Sequence, residues 1–226
     1  MADTEKTDRQ EAVGALKRSL ILDAARRVFA AEGLEGASMR AIAKAAGYTA
    51  GAIYFHFPGK EAIYAAILDD SLDRLIAAVE AAVAGAAAAP ADRLRAAALA
   101  FFDFYAGSPG DLDLGFYLFR GGIRPRGLTP DLDAALNAKL TASLAPIGHA
   151  ARALGADEAG ARALEADAFA HAVGLLVLQH TGRIRLYRCA PRELMERYVD
   201  GVAGRLTGRQ PQSADRELTS SVRRGG

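Results

Sequence analysis

The stretch from Ser38 to Lys60, SMRAIAKAAGYTAGAIYFHFPGK, constrains the fold more than any other part of the sequence. Ser38 is a residue type that caps helix N-termini, and the apolar residues after it repeat at helical spacing. Gly47 can end that helix in a left-handed conformation, and Thr49 can then cap a second helix. The pattern predicts two short helices joined by a tight turn.

The outward side of the second predicted helix carries few large side chains. It begins with Ala50 and Gly51 and continues with Tyr54, His56 and Lys60, the last three of which can each reach a phosphate. Two short helices in this arrangement are typical of a helix-turn-helix that lies against DNA. A three-helix lobe that is merely compact is the alternative interpretation, because a generic helix-turn-helix has a weak sequence signature.

The same stretch resembles the DNA-binding domain of the TetR family of bacterial transcriptional regulators. The resemblance extends upstream into ILDAARRVFAAEGLEGAS and spans residues 15–75, about a third of the chain. The positions that carry it are Ser38, Ile42-Ala43, Ala46-Gly47, Thr49, Ile53-Tyr54, His56-Phe57 and Lys60-Glu61. The resemblance implies an all-α fold, with an N-terminal three-helix helix-turn-helix domain and a larger α-helical C-terminal domain for dimerisation and ligand binding.

The resemblance also implies which residues meet DNA. Base contacts fall to Arg40, Thr49 and Ala50, phosphate contacts to Tyr54, His56 and Lys60, and Ser38 and Tyr48 complete the predicted DNA-binding set. Tyr54 as a half-buried core aromatic and Arg40 as a solvated charge remain alternatives. Because Ala50 and Gly51 are so small, we expect thymine-methyl contact and close backbone approach to carry more of the specificity.

Tyr48 is a departure from the family pattern, which usually has a small aliphatic residue at this turn position. Its larger ring either packs between the helices or points at DNA, and the sequence leaves both interpretations open.

Composition narrows the class of protein. Hydrophobic residues make up 51% of the 226 residues, which is enough for a core, and the net charge is only +1. Between Ala15 and Lys60, however, there are seven basic and three acidic residues, so a basic excess of +4 lies at the predicted helix-turn-helix. Cys189 has no second cysteine to pair with, and no signal sequence or membrane-spanning run is evident. We therefore expect a cytoplasmic protein that does not bind membranes.

The order of elements predicts four segments. Residues 1–14 are predicted as a flexible arm, 15–75 as the DNA-binding domain with its helix-turn-helix at 38–57, 76–207 as the C-terminal domain, and 208–226 as a disordered tail. Helical periodicity predicts helices at about 16–32, 60–84, 91–106, 112–120, 130–153, 157–181 and 191–207. Pro146 is expected to kink or split one of them.

The segment from Ala168 to Leu178 is apolar nearly all round a predicted helix. Such a helix is expected to be buried on both sides, one facing its own core and the other a symmetry-related copy. The predicted dimer-interface residues are Leu175, Leu178, Tyr198 and Val202. A central core helix in a monomer is the alternative interpretation.

Aromatic residues clustered on two successive predicted helices suggest an apolar effector cavity. The predicted pocket comprises Phe101, Tyr105, Phe116 and Tyr117, with Arg120, His149, His171 and Gln179 as polar groups. Such aromatics are alternatively plain core residues. The histidines lack metal-ligand spacing, and no catalytic or nucleotide-binding motif is present, so no metal, cofactor or catalytic residue is expected.

These features together predict a homodimeric transcriptional repressor rather than an enzyme. It would be released from palindromic operator DNA by a small, largely apolar effector. An all-α enzyme or ligand carrier with a helix-turn-helix-like lobe is one alternative. A regulator whose C-terminal domain binds a protein partner is the other.

Overall fold

The computed structural model describes residues 2–115 and 128–208, with side chains from residue 12 onward. This part of the chain is helical and contains no β-strand, which confirms the all-α prediction. The helices are α1 (Ala2–Gly36), α2 (Met39–Ala46), α3 (Ala50–Tyr54), α4 (Lys60–Gly85), α5 (Pro90–Gly107), α6 (Pro109–Gly115), α7 (Pro130–Ala153), α8 (Glu158–His180), a short 3-10 helix (Arg183–Tyr187) and α9 (Pro191–Leu206). No described helix is long and apolar enough to cross a membrane.

Helix α1 differs from the prediction at its start. It begins at Ala2, so residues 2–14 form its first turns instead of a flexible arm. This segment is rich in Ala, Glu, Lys, Arg and Gln, which have high intrinsic helix propensity, and it runs directly into the amphipathic part of the helix. Near its end the helix kinks at Gly33, where φ is 70° and ψ is 173°, as expected for the glycine predicted to terminate it.

Two further boundaries differ from the predicted ones. Helix α6 begins at Pro109, three residues before the expected start, because proline suits the first turn of a helix. Residues 116–120 of this predicted helix lie outside the described part of the chain, and so do residues 209–226 of the predicted tail. Helix α7 continues through Pro146 instead of splitting. Proline there removes one backbone hydrogen bond, and the rest of the 24-residue helix persists on both sides.

The chain divides into two compact units. The first comprises Met1–Ala77 and Phe104–Ser143, and the second comprises Ala78–Asp103 and Leu144–Gly226. The break at Ala77 lies close to the predicted domain boundary at residue 75, although 104–143 group with the N-terminal helices. The functional bounds of the domains stay a prediction.

The core of the first unit joins α1 to the helix-turn-helix and to the start of α4. Ile21, Ile42, Ile53 and Ile63, one from each of α1 to α4, are at most 1% exposed. At about 1.5–3 kcal/mol for each fully buried side chain, this cluster fixes the two short helices α2 and α3, which are too short to be stable alone.

The second unit has its own aromatic and aliphatic core, contributed by α5, α7, α8 and α9. Phe101 and Leu176 are at most 1% exposed, and the ring of Phe101 meets the edge of Phe169 at 5.9 Å between centroids. At the surface of this unit, Arg192 pairs with Asp103 at 3.0 Å and so links α9 to α5.

Candidate DNA-binding surface

The turn between α2 and α3 is built from local hydrogen bonds that the sequence encodes. Ser38 lies in an extended conformation before α2, and its Oγ accepts the backbone N–H of Ala41 at 3.1 Å. At the other end Gly47 has φ 74°, and its N–H donates to the Lys44 carbonyl at 3.3 Å. The N–H of Tyr48 donates to the Ala43 carbonyl at 2.9 Å. These two bonds form a Schellman motif, which orients the chain for the next helix.

The side chain of Tyr48 is half-buried and packs against the core of the first unit. A residue two positions after a helix often makes such an apolar contact in a Schellman motif. The ring of Tyr48 thus packs partly against the core, and it also lines a surface groove; contact with DNA stays a prediction.

Helix α3 is short and held at both ends. Thr49 Oγ1 accepts the N–H of Ala52 at 3.3 Å, and Ile53 is fully buried beneath the helix. The N–H groups of His56 and Phe57 both donate to the Ile53 carbonyl at 2.9 Å, so the chain makes one further turn after Tyr54. Phe57 is 4% exposed, and the guanidinium of Arg18 lies 5.2 Å from the centre of its ring.

The predicted DNA-contacting residues of α2 and α3 lie mostly at the surface. Arg40 and Thr49 are exposed, Tyr54 is 55% exposed, and Ala50 and His56 are half-buried. The exposure of Tyr54 argues against its alternative interpretation as a core aromatic. The Oγ of Ser38 and the Oγ1 of Thr49 each accept one capping bond, which leaves the O–H donor and one lone pair of each hydroxyl for DNA.

Lys60 has a role that the sequence did not reveal. Its Nζ donates to the carbonyl oxygens of Glu35 at 3.1 Å and Ala37 at 3.0 Å, and thereby ties the end of α1 to the start of α4. An ammonium group has three protons, so one N–H is left for a phosphate. Lys60 is therefore a structural link as well as a predicted phosphate contact.

Phe55 is the surface residue that sequence reasoning missed. It is 86% exposed, the most exposed of the large hydrophobic residues in the described part of the chain. Its ring meets the ring of His56 edge-on, with 5.4 Å between the centroids. The available signal was its position one turn after Gly51 and Ala52, on the outward side of α3.

A charged cluster supports the first unit on the side of α6. Asp111 is 9% exposed and pairs with Arg74 at 2.8 Å, while Arg26 pairs with Asp70 at 2.6 Å. The hydrogen bond to Asp111 raises the pKa of Arg74 against the opposing effect of burial. Tyr64 adds a hydrogen bond from its hydroxyl to the Leu114 carbonyl. The cluster fixes α6 against α1 and α4.

The described members of the predicted effector pocket differ in their surroundings. Phe101 belongs to the second unit and Tyr105 to the first, and both are buried; burial, with a smaller effect of Asp111, raises the pKa of Tyr105 to about 12. His149 is exposed at the surface instead of facing a cavity, because the inner side of α7 at this turn is formed by Ile147 and Ala150.

The remaining predicted pocket residues give little further support for an effector pocket. Gln179 is half-buried, and Phe116, Tyr117 and Arg120 lie outside the described residues. His171 stacks on Tyr198 with 4.2 Å between the rings, and its Nε2 is buried without a hydrogen-bond partner in the described part of the chain. Two cavities of about 270 and 560 Å³ lie in the first unit and are lined by residues outside the predicted effector set. The effector pocket stays a prediction.

The predicted interface residues divide into two groups. Leu175 and Val202 are 6% and 5% exposed within the chain itself, whereas Leu178 and Tyr198 are half-buried. The outer side of α8 exposes Ala170, Gly174 and Val177, the last at 42%. A face available to a second copy is therefore formed by this outer side, and Leu175 lies on the opposite side of the helix.

No cluster of three or more His, Cys, Asp or Glu side chains that would hold a metal ion occurs among residues 2–115 and 128–208. The fold and the surface define an all-α protein with an N-terminal helix-turn-helix, whose outward side chains include groups that can contact phosphates.

Known proteins similar to this chain are also proteins with a helix-turn-helix. Residues 21–67 match the family model described as "Bacterial regulatory proteins, tetR family". The match supports a TetR-family transcriptional regulator and lies within the N-terminal part of the chain, over α1 to the first turns of α4. Over 77 residues the chain is 38% identical to the HTH-type transcriptional regulator UidR of Escherichia coli K12. These 77 residues make up 34% of this chain and 37% of UidR. Over 63 residues it is 40% identical to an HTH-type transcriptional repressor of Mycobacterium tuberculosis, covering 28% of this chain and 34% of that protein. The chain thus spans little more than a third of the length of these relatives.

Solved structures resemble the chain over more of its length. A bacterial regulatory protein in the tetR family from Rhodococcus RHA1 is 27% identical with a TM-score of 0.61, over 84% of this chain and 96% of that one. FadR from Bacillus subtilis, solved in complex with stearoyl-CoA, is 20% identical with a TM-score of 0.60, over 85% of this chain and 99% of that one. The second likeness shows the shared fold alone.

Proposed function

We propose that this protein is a sequence-specific DNA-binding transcriptional repressor. The observation that carries the proposal is the capped turn from Ser38 through Gly47 to Thr49, which presents α3 with its outward residues at the surface. In a helix-turn-helix the second helix lies in the major groove and its first residues contact base edges. Since operator DNA lies in the cytoplasm, we place the protein there.

Two kinds of DNA contact follow from the exposed groups. Tyr54, His56 and the remaining N–H of Lys60 would hold phosphates, which position the protein without reading sequence. Arg40, Thr49 and Ala50 would face base edges, with Arg40 the only one of the three able to form a bidentate bond to guanine. The basic excess in this part of the sequence favours DNA further.

The protein is proposed to act as a homodimer on a palindromic operator. Two copies would place their α3 helices about 34–36 Å apart, or a multiple of that distance. The exposed small residues and Val177 on the outer side of α8 allow a second copy to approach closely. Tyr198 on α9 is half-buried and would extend the same surface.

The effector is proposed to be a small, largely apolar molecule that releases the repressor. The FadR structure with stearoyl-CoA shows that a protein of this fold can bind an acyl-CoA. Release requires the effector to bind more tightly to the form that holds DNA poorly, and such coupling is typically about 1–3 kcal/mol. The relatives' names as regulators support regulation over catalysis, so we propose no enzymatic activity.

Selection from a pool of random duplexes, with the purified full-length protein, tests DNA binding. One sequence or family of sequences should be enriched, with two inverted half-sites, and a gel shift should confirm binding to it over random DNA. Enrichment of none would refute the proposal and favour the enzyme or carrier interpretation.

Two variants then test the assigned contacts on the enriched DNA. Tyr54→Phe removes only a hydroxyl and should weaken specific and random DNA alike, because it acts on phosphate. Arg40→Ala should lose about 1–3 kcal/mol at a subset of base pairs if its contact is bidentate. Equal losses on specific and random DNA would remove Arg40 from the base-contacting set.

Sedimentation tests the dimer. Val177→Glu places a charge on the exposed side of α8 and should give folded monomers, whereas Leu175→Glu should unfold the second unit because Leu175 is 6% exposed in its own core. Leu16→Glu is the matched control, since Leu16 is 61% exposed on α1. A dimer that survives Val177→Glu would move the interface away from α8.

A further inference from the structure

The most exposed large hydrophobic residue in the described part of the chain directly follows α3, the helix proposed to lie in the major groove. Phe55 is 86% exposed, which exceeds the exposure of its neighbour Tyr54 at 55%. An exposed aromatic ring gains by leaving water, so a ring held out from the protein suits a surface that covers it.

The surroundings of Phe55 identify the kind of surface that fits. Phe55 lines a groove of about 560 Å³ between α1 and α3, together with Lys17, Tyr48 and His56. Among the side chains that the structure describes, none that lines this groove is acidic, and the polar groups in it are a lysine ammonium, a phenol and an imidazole. These groups suit an anionic partner such as a DNA backbone.

The side chains of α3 and of Phe55 restrict which groups on DNA they can contact. Ala50, Gly51 and Ala52 offer no side-chain hydrogen bond, and the ring of Phe55 offers neither donor nor acceptor. In the major groove of B-DNA only thymine presents an apolar group, its 5-methyl. A phenylalanine can therefore distinguish thymine from the other three bases by contact with that methyl group.

We propose that Phe55 is a specificity-determining residue that packs its ring against the 5-methyl group of one thymine in each half-site. This inference rests on the proposed DNA-binding function. It assigns sequence discrimination to an apolar contact at the end of α3, in addition to the polar contacts at its start.

The test is a double-mutant cycle between the side chain and the methyl group. Duplexes enriched from the random pool are prepared with deoxyuridine in place of each thymine in turn, which removes only the methyl. Wild-type affinity should fall about fourfold at one thymine per half-site, the value expected for burying one methyl group. Phe55→Ala should bind the parent duplex more weakly and respond to that same replacement by less than about twofold.

Two controls separate the contact from general effects. Phe55→Leu keeps an apolar side chain and should retain part of the sensitivity to the methyl group. Tyr54→Phe should lose affinity yet keep the full response, because its proposed contact is with phosphate. Melting temperatures equal to that of the wild type are expected for the Phe55 variants, since the ring is exposed.

The outcomes distinguish this inference from the function on which it rests. Failure to enrich any DNA sequence would overturn both. Specific binding in which every deoxyuridine replacement affects wild type and Phe55→Ala equally would overturn the role of Phe55 and leave the DNA-binding function in place.

Discussion

Replacing Lys60 with methionine keeps the aliphatic part of the side chain and removes an ammonium that donates to two carbonyls. The bond to Ala37, at 3.0 Å, is partly buried, and Ala37 itself is 3% exposed, so water cannot readily replace the lost donor. The bond to Glu35, at 3.1 Å, is exposed and contributes less. With about 1.5–3 kcal/mol for a hydrogen bond from a charged donor, discounted for the exposed bond, we expect a loss of about 2–3 kcal/mol.

Urea unfolding followed by circular dichroism measures this loss. For a slope of about 2 kcal/mol per molar urea, the midpoint of the transition in the first unit should fall by about 1 M. Lys44→Met is the matched control, since Lys44 is exposed on α2, and it should shift stability by less than about 0.5 kcal/mol. In gel shifts Lys60→Met should also reduce the salt dependence of DNA binding by roughly one unit. An unchanged midpoint with a reduced salt slope would show that Lys60 serves DNA alone and that the carbonyl bonds contribute nothing.

Further substitutions probe other contacts. Ser38→Ala should cost about 0.5–2 kcal/mol, and more than Thr49→Ala, whose capping bond is longer; equal midpoints for Ser38→Ala and wild type in urea would contradict the capping role. Gly148→Ala should change stability by less than about 1 kcal/mol, because the added methyl, 1.8 Å from Oε1 of Glu165, meets the far end of a flexible side chain that can rotate away, and alanine favours the helix more than glycine does; a loss above about 2 kcal/mol in thermal melts would show that Glu165 cannot move. Burial raises the pKa of Glu165 above its usual 4.5, so the folded state retains that proton longer and stability should fall as pH rises from 4.5 to the raised value. Glu165→Gln should remove that part of the pH dependence, and an unchanged pH profile of stability would refute the assignment.

How much of the candidate site was predictable is clearest at the turn between α2 and α3. The caps at Ser38 and Thr49 and the left-handed Gly47 involve bonds between residues three to five apart, so residue type and spacing were sufficient to predict them. The exposed position of Tyr54 followed from the same helical spacing. The contact residues assigned from the family resemblance have yet to be tested.

Residues whose partners are distant in sequence were harder to interpret. Lys60 meets carbonyls 23 and 25 residues away, and no local pattern marks that contact. Phe55 was not singled out from the sequence, because its exposure depends on Ile53 being the residue of α3 that packs into the core. Leu175 was predicted at an interface because its helix is apolar all round, yet the chain's own core covers it.

Local sequence was sufficient to predict the all-α class, most helix boundaries and the capped turn, because these depend on periodicity and on hydrogen bonds within a few residues. The link of Lys60 between α1 and α4 and the exposure of Phe55 became apparent from the three-dimensional structure. Each of these depends on which elements come together in space. Burial and long-range hydrogen bonds are properties of that assembly, and they override the preferences of any single segment.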